Sequence, residues 1–394
     1  MVETRQISKI AGEYGFSLIE LMVAMTIGSI LATALVIVFA NVMQTNREQF
    51  KAAQQIENGR YAIDLMTNDI RLAGYYGEFG TLPSISSFAS LPDPCDVTSA
   101  ALPEGPITEE ANSRLGFHVQ GYAASDLATR PTVPANCSAL LDTNTLRPGS
   151  DIVVIRRLDT KPLLDPPNTS ASVTATASDI YAQTTSKTMD IQYGVASAID
   201  GTKNAKGAST GTLTRKDFNQ ALAGTPGTRP TTAAYIRKVH VHVYFVASCR
   251  DGNGANGKCL GTDDGIPTLK RLELVSESGT RKMKIVPLVE GMEFLKVRYG
   301  LDKTSHIPGQ TVDGSVDDSL VPASSVTLAD WQNVVMLELR VLARNTEATT
   351  GYADGKTYDL GVANYTPSGS DAKYKRHAFT SQVYIVNIGG RRES

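Results

Sequence analysis

Cysteine, tryptophan, histidine and charge are all scarce in this chain of 394 residues. Four Cys are too few to replace a hydrophobic core, although an even number allows two disulfides. Five His and one Trp argue against a rich metal centre. Charged residues make up 20%, and 38 Lys+Arg against 40 Asp+Glu leave a net charge of −2. No global basic field therefore points to nucleic acid. Neither a nucleophile elbow nor the H-E-x-x-H zinc motif is expected, no catalytic constellation stands out, and the chain reads as a non-enzyme with no cofactor. Apolar residues at 41% exclude a wholly disordered chain, and 33 Gly with 18 Pro tilt it toward strands and loops.

What is present is concentrated at the amino terminus. From Phe16 to Met43 the sequence is apolar except for one charge, Glu20. At about 1.5 Å rise per residue this run spans roughly 40 Å, more than a hydrocarbon core of about 30 Å. It is too long for the apolar part of a secretory signal, and no small-residue cleavage site follows it. The polar leader 1–15 carries Arg5 and Lys9, which orients the carboxyl-terminal bulk across the membrane. Glu20 is costly there, because a membrane-embedded carboxylate costs about 2.5–3.5 kcal/mol and usually serves a function.

Gly15-Phe16-Ser17-Leu18-Ile19-Glu20-Leu21-Met22-Val23-Ala24 resembles the class III signal of type IV pilins and type II secretion pseudopilins. The resemblance implies that prepilin peptidase cuts between Gly15 and Phe16, and that the new amino group of Phe16 is methylated. It also implies an assembly role for Glu20, whose carboxylate would pair with the Phe16 amine of a neighbouring subunit. Pairing offsets a desolvation cost that neither group offsets alone.

Beyond Met43 the apolar residues Phe50, Ala53, Ile56, Ile63, Met66 and Ile70 recur at helical spacing, with no Pro through residue 72. One continuous helix is predicted, ended by Gly74 and Gly77. Its membrane or filament-core half covers 16–43 and its amphipathic half 44–73. Strand-like runs follow at Asp151–Leu158, Thr188–Tyr193, Ala234–Ala247, Thr268–Val275, Lys282–Val289, Glu293–Tyr299, Asn333–Ala343 and Ala378–Ile388, with a short helix at Leu213–Leu222. Residues 78–149 read as irregular and 78–230 as variable. The expected fold is α+β and pilin-like: a long helix packed on an antiparallel sheet, with 74–394 as a loop-rich globular head.

Four segments narrow the resemblance to PilW-type minor pilins, relatives of the J-type pseudopilins. They are Asp64–Gly77, Leu288–Asp302, Trp331–Arg344 and Lys375–Asn387. Glu78 stands where many relatives place a Cys. The family implies a place in the inner membrane with a periplasmic head, then in the pilus fibre near its tip, and a part in priming assembly, twitching motility and adhesion. Implied partners are other minor pilins, the major pilin, a tip-associated adhesin, prepilin peptidase and the inner-membrane assembly platform. The alternatives are a J-type pseudopilin of type II secretion, or a tip adhesin binding a surface or DNA.

Some patterns imitate chemistry. Gly252–Cys259 fits G-x-G-x-x-G, but the following sequence cannot start the phosphate-holding helix. Asp251, Asn253 and Asn256 offer oxygens for Ca²⁺ without the bidentate Glu of an EF-hand. By chain proximity the cysteines pair as Cys95–Cys137 and Cys249–Cys259. His240 and His242 share a strand face and read as packed side chains, not ligands.

Overall fold

The computed structural model describes residues 15, 17–98, 101–102, 105–108, 110–163, 179–184, 188–193, 235–278, 280–304, 311–317 and 319–392. The chain divides into two compact units, Met1–Ala53 and Gln54–Ser394.

Helix α1 is a single element, Leu18–Arg71. Gly74 and Gly77 then take left-handed φ values of +69° and +65°, a conformation open to Gly at little cost. The last carbonyls of α1 do not dangle. Asn387 Nδ2 donates to Arg71 O at 3.1 Å and Ala73 O at 3.4 Å.

Short elements come next: β1 (Gly105–Thr108), β2 (Val119–Tyr122), α2 (Ala135–Ser138), β3 (Ile152–Leu158), β4 (Ile180–Thr184) and β5 (Thr188–Tyr193). Longer strands follow: β6 (Ile236–Ala247), β7 (Thr268–Glu277), β8 (Thr280–Glu290) and β9 (Met292–Leu301). Then come β10 (Val321–Pro322), β11 (Val334–Arg344), β12 (Tyr358–Asp359), β13 (Asn364–Tyr365), β14 (Arg376–Tyr384) and α3 (Val386–Arg392). Among the described residues one sheet has eight strands, ordered β1-β5-β4-β6-β3-β2 with β7 on β6 and β8 on β7. A second has four, ordered β10-β9-β11-β14, and β12 pairs with β13. Every strand pair among the described residues is antiparallel. The fold is α+β.

Three differences from the sequence reading have physical causes. The expected single sheet is two, because β6 spends its length on β3, β4 and β7, and none of its residues pairs with β9. The terminal strand stops at Tyr384 instead of Ile388. There Asn387 is needed as the cap of α1, and Ile388 packs within reach of Gly74. The segment 78–149 contains β1 and β2, strands of four residues that give periodicity little room to appear. The predicted helix Leu213–Leu222 lies outside the described residues.

The main core joins Ala62, Met66 and Ile70 of α1 to inward residues of both large sheets. In β11 alternation supplies Leu337, Leu339, Val341 and Ala343 to that core, while Glu338 and Arg340 take the other face. Trp331 is buried there, edge-on to Tyr299 at 5.0 Å between ring centroids.

Candidate functional site

From Leu18 to Met43 the amino-terminal unit presents mostly exposed apolar side chains. Leu18, Ile19, Leu21, Met22, Met25, Ile30, Leu35 and Phe39 are each more than half exposed, and an 18-residue window of α1 reaches a mean hydropathy of 2.5. The helix is long and apolar enough to cross a membrane.

Its polar groups look after themselves. Glu20 Oε2 accepts the backbone N–H of Ser17 at 3.0 Å, and Leu21 N–H donates to Ser17 O. Ser17-x-x-Glu20 thus follows the capping-box spacing, with Glu20 returning to the residue just before the helix. Thr26, Ser29 and Thr33 hydroxyls donate to carbonyls three or four residues back, at 2.8–3.0 Å. Such bonds hide hydroxyls from lipid without a second helix. Gly15 is exposed; Phe16 and the leader 1–14 lie outside the described residues.

The second unit begins with the docked part of α1. Its buried stripe is Gln55, Gly59, Ala62, Met66, Asp69 and Ile70. Two of these are polar, and both are held. Gln55 Nε2 donates to Ala343 O at 2.7 Å and to Lys375 O at 3.0 Å. Asp69 receives Arg157 Nε at 2.6 Å, His242 Nδ1 at 2.6 Å and Tyr244 Oη at 2.8 Å. Burial alone would raise the Asp69 carboxyl, but the hydrogen bond and charge of His242, with Arg157, hold it well below the usual carboxylate range. The sequence hid this anchor, since an Asp late in an amphipathic helix reads as solvated. The one available signal was its position on the 55–59–62–66 stripe.

His240 and His242 do lie side by side, with ring centroids 5.2 Å apart. His242 faces Asp69, and His240 Nε2 sits 3.3 Å from Asp159. Burial first, then the positive charge of His242 and Arg157, pushes His240 down to about 4. His118, fully buried with Nε2 on Val334 O at 2.9 Å, is likewise pushed down to about 4, chiefly by burial. Glu78 Oε2 accepts the Thr184 hydroxyl at 2.6 Å.

The disulfides join Cys95 to Cys137 and Cys249 to Cys259. The second closes the loop carrying Asp251, Asn253 and Asn256. There Asp263 accepts from Leu260 N and Asn253 Nδ2, and Asp264 from Arg250 N and Ile266 N. The carboxylates thus shape the turn. After Cys259 the chain enters β7 with no intervening helix among the described residues, so no phosphate cradle follows Gly252. The expected absence of a nucleophile elbow is corrected by Gly207-x-Ser209-x-Gly211, which fits that spacing and lies outside the described residues.

In the four-stranded sheet, three of the sequence segments quoted above become neighbours as β9, β11 and β14. Glu293 of β9, fully buried, pairs with Arg376 of β14 at 2.5 Å and Arg344 of β11 at 3.6 Å, and with Arg147 from the segment before β3 at 3.2 Å. Asp302 of the Tyr-Gly-x-Asp stretch receives Arg392 at 3.1 Å.

Comparison with known proteins agrees with this layout. The family described as type IV pilus-assembly protein W matches residues 243–387, and the prokaryotic N-terminal methylation motif matches residues 11–36. A type IV-like pilin from Thermus thermophilus overlaps 38% of this chain and 78% of its own, at 17% identity and a TM-score of 0.18. That superposition is too slight to add to the fold description. No curated protein sequence matches the chain.

Proposed function

Because the chain is a PilW-type minor pilin, we propose that it is cut between Gly15 and Phe16 by prepilin peptidase, methylated on Phe16, and enters a priming or tip complex for type IV pilus assembly. Before assembly it waits in the inner membrane with its head in the periplasm; afterwards it lies in the fibre, near the tip. Its partners are other minor pilins, the major pilin, the assembly platform and a tip-associated adhesin, which connects it to twitching motility and attachment.

The observation that carries this reading is one carboxylate in the third position of α1, at the start of its exposed apolar half. Glu20 is satisfied by Ser17 for the isolated chain, but a single N–H leaves it acceptor capacity. A methylated amine from an adjoining subunit is a charged partner suited to that position. In the docked half of α1, Asp69 meets His242 and Tyr244 in a buried anchor. A type IV pilus role is preferred to type II secretion because the head is large for a J-type pseudopilin.

Substituting Glu20→Ala tests the proposal. Mass spectrometry should find the variant cut after Gly15, while pilus number and incorporation of the chain into sheared fibres fall sharply. An uncut leader in the wild-type chain, or normal fibres from the variant, would remove the proposal.

A further inference from the structure

Among the described residues the two large sheets end in two long edges, β8 and β14. The other ends are β1, β2 and β10, each of four residues or fewer. Short edges template little pairing. β8 is defended in the usual ways. Pro287 lacks an N–H, the register against β7 slips beside it, and Arg281, Lys282 and Lys284 stand along the strand.

β14 has none of these defences. Its pairing with β11 runs without a shift from Met336↔Tyr384 to Arg344↔Arg376. From His377 to Tyr384 there is no Lys, Arg, Asp, Glu or Pro. The ladder also fixes which backbone groups are spare. Ile385 N–H donates to Val335 O at 2.8 Å and Asn345 N–H to Lys375 O at 3.0 Å. Both belong to odd-numbered positions of this strand register, so odd residues of β14 bond to β11. In an antiparallel ladder the alternate residues turn N–H and C=O the other way. Ala378, Thr380, Gln382 and Tyr384 therefore present the outward row, and all four are exposed and uncharged. On the helix side Phe379 sits over Gly59, with Ile56 and Ile63 about one turn to either side along α1.

We propose that the free edge of β14 accepts an uncharged β-strand from the head of a different pilin-type subunit, extending the four-stranded sheet to five. An uncharged row selects an uncharged strand, since a charged one would bring unpaired charge against it. Area selects against a second copy in free solution. A strand of this length, roughly 30 Å by 10 Å, covers well below the about 800 Å² per partner of a standard stable interface. A neighbour held beside it by bundled amino-terminal helices needs no such area, because tethering supplies an effective concentration on the order of millimolar. The inference rests on the assembly role above for that tether.

The test uses the full-length chain in membranes of cells with their own pilus system. Tyr384 is replaced by photoreactive benzoylphenylalanine, and in a separate strain Lys284 on the β8 edge is replaced likewise. Tyr384 should yield an adduct with another chain bearing a pilin signal, and Lys284 should not. Thr380→Pro removes one outward N–H and leaves the β11 ladder; it should lower the Tyr384 adduct about tenfold. Its disulfides and thermal unfolding should match the wild type. If Thr380→Pro misfolds, Ala378→Lys should give the same loss by charging the edge. The inference is overturned by no adduct at Tyr384, by an adduct only with a second copy or with a chain lacking a pilin signal, or by a folded Thr380→Pro with undiminished adduct. Piliation of Glu20→Ala is scored separately, so a failed assembly role and a closed edge give different results.

Discussion

The two halves of α1 obey opposite rules although they belong to one helix. From Leu18 to Met43 apolar side chains face outward all round, and each hydroxyl bonds to its own backbone. From Gln55 to Ile70 a single stripe is buried, and its polar members bond to distant strands. The first half is suited to lipid or to other helices, where no water satisfies a stray donor. The second is suited to a protein core, where a buried carboxylate is stable only when several donors converge on it. The lesson is that polarity alone does not report burial. Asp69 is among the least exposed carboxylates of the helix, whereas the leucines near its start are among the most exposed residues.

The contrast can be broken most severely at Asp69. Asp69→Ala leaves Arg157 and His242 buried without their shared acceptor, and removing one partner of a buried ion pair costs about 3–5 kcal/mol. Chemical denaturation of the detergent-solubilised chain should show that loss in the second unit. The helicity of the first half should hardly change.

Acid is the next lever, and two buried histidines of the second unit respond to it. His118 is pushed down to about 4 in the folded chain against an ordinary value near 6.5. Its stabilising contribution is complete above about 6.5, where folded and unfolded forms are both neutral. It is lost as pH falls toward 4, because only the unfolded form takes up the proton. Full loss amounts to about 3 kcal/mol. His240 acts in the same direction. The unfolding midpoint should fall between pH 6.5 and 4 in the wild type and less steeply in His118→Gln.

The smallest effect is expected in the first half. Thr33→Val removes a hydroxyl whose bond to Ser29 O stays within its own helix. Membrane insertion and pilus incorporation should change by less than about 0.5 kcal/mol equivalent. A large assembly defect would mean that Thr33 meets another helix, and would redraw the contrast between the halves.

Much of this was legible in the residues. The apolar run, its single Glu and the absence of Pro through residue 72 gave the helix from residue 18 onward, and Gly74 with Gly77 gave its stop. Long strands such as β6 and β11 appeared because period-two alternation persists over many residues. Strands of two to five residues, such as β4 and β10, carry too few alternations to stand out. The late helix α3 was read as strand because Val386 and Ile388 continue an apolar pattern that only the capping of α1 interrupts.

The amino-acid order by itself determined the long helix and its membrane-compatible half, because those depend on neighbours close along the chain. Only the tertiary structure decided that Asp69 is an anchor, that Glu293 gathers arginines from three segments, and that β14 rather than β8 is the undefended edge. Each of these joins residues far apart in sequence. Their energies come from desolvation and pairing, which do not exist until the chain has closed around them.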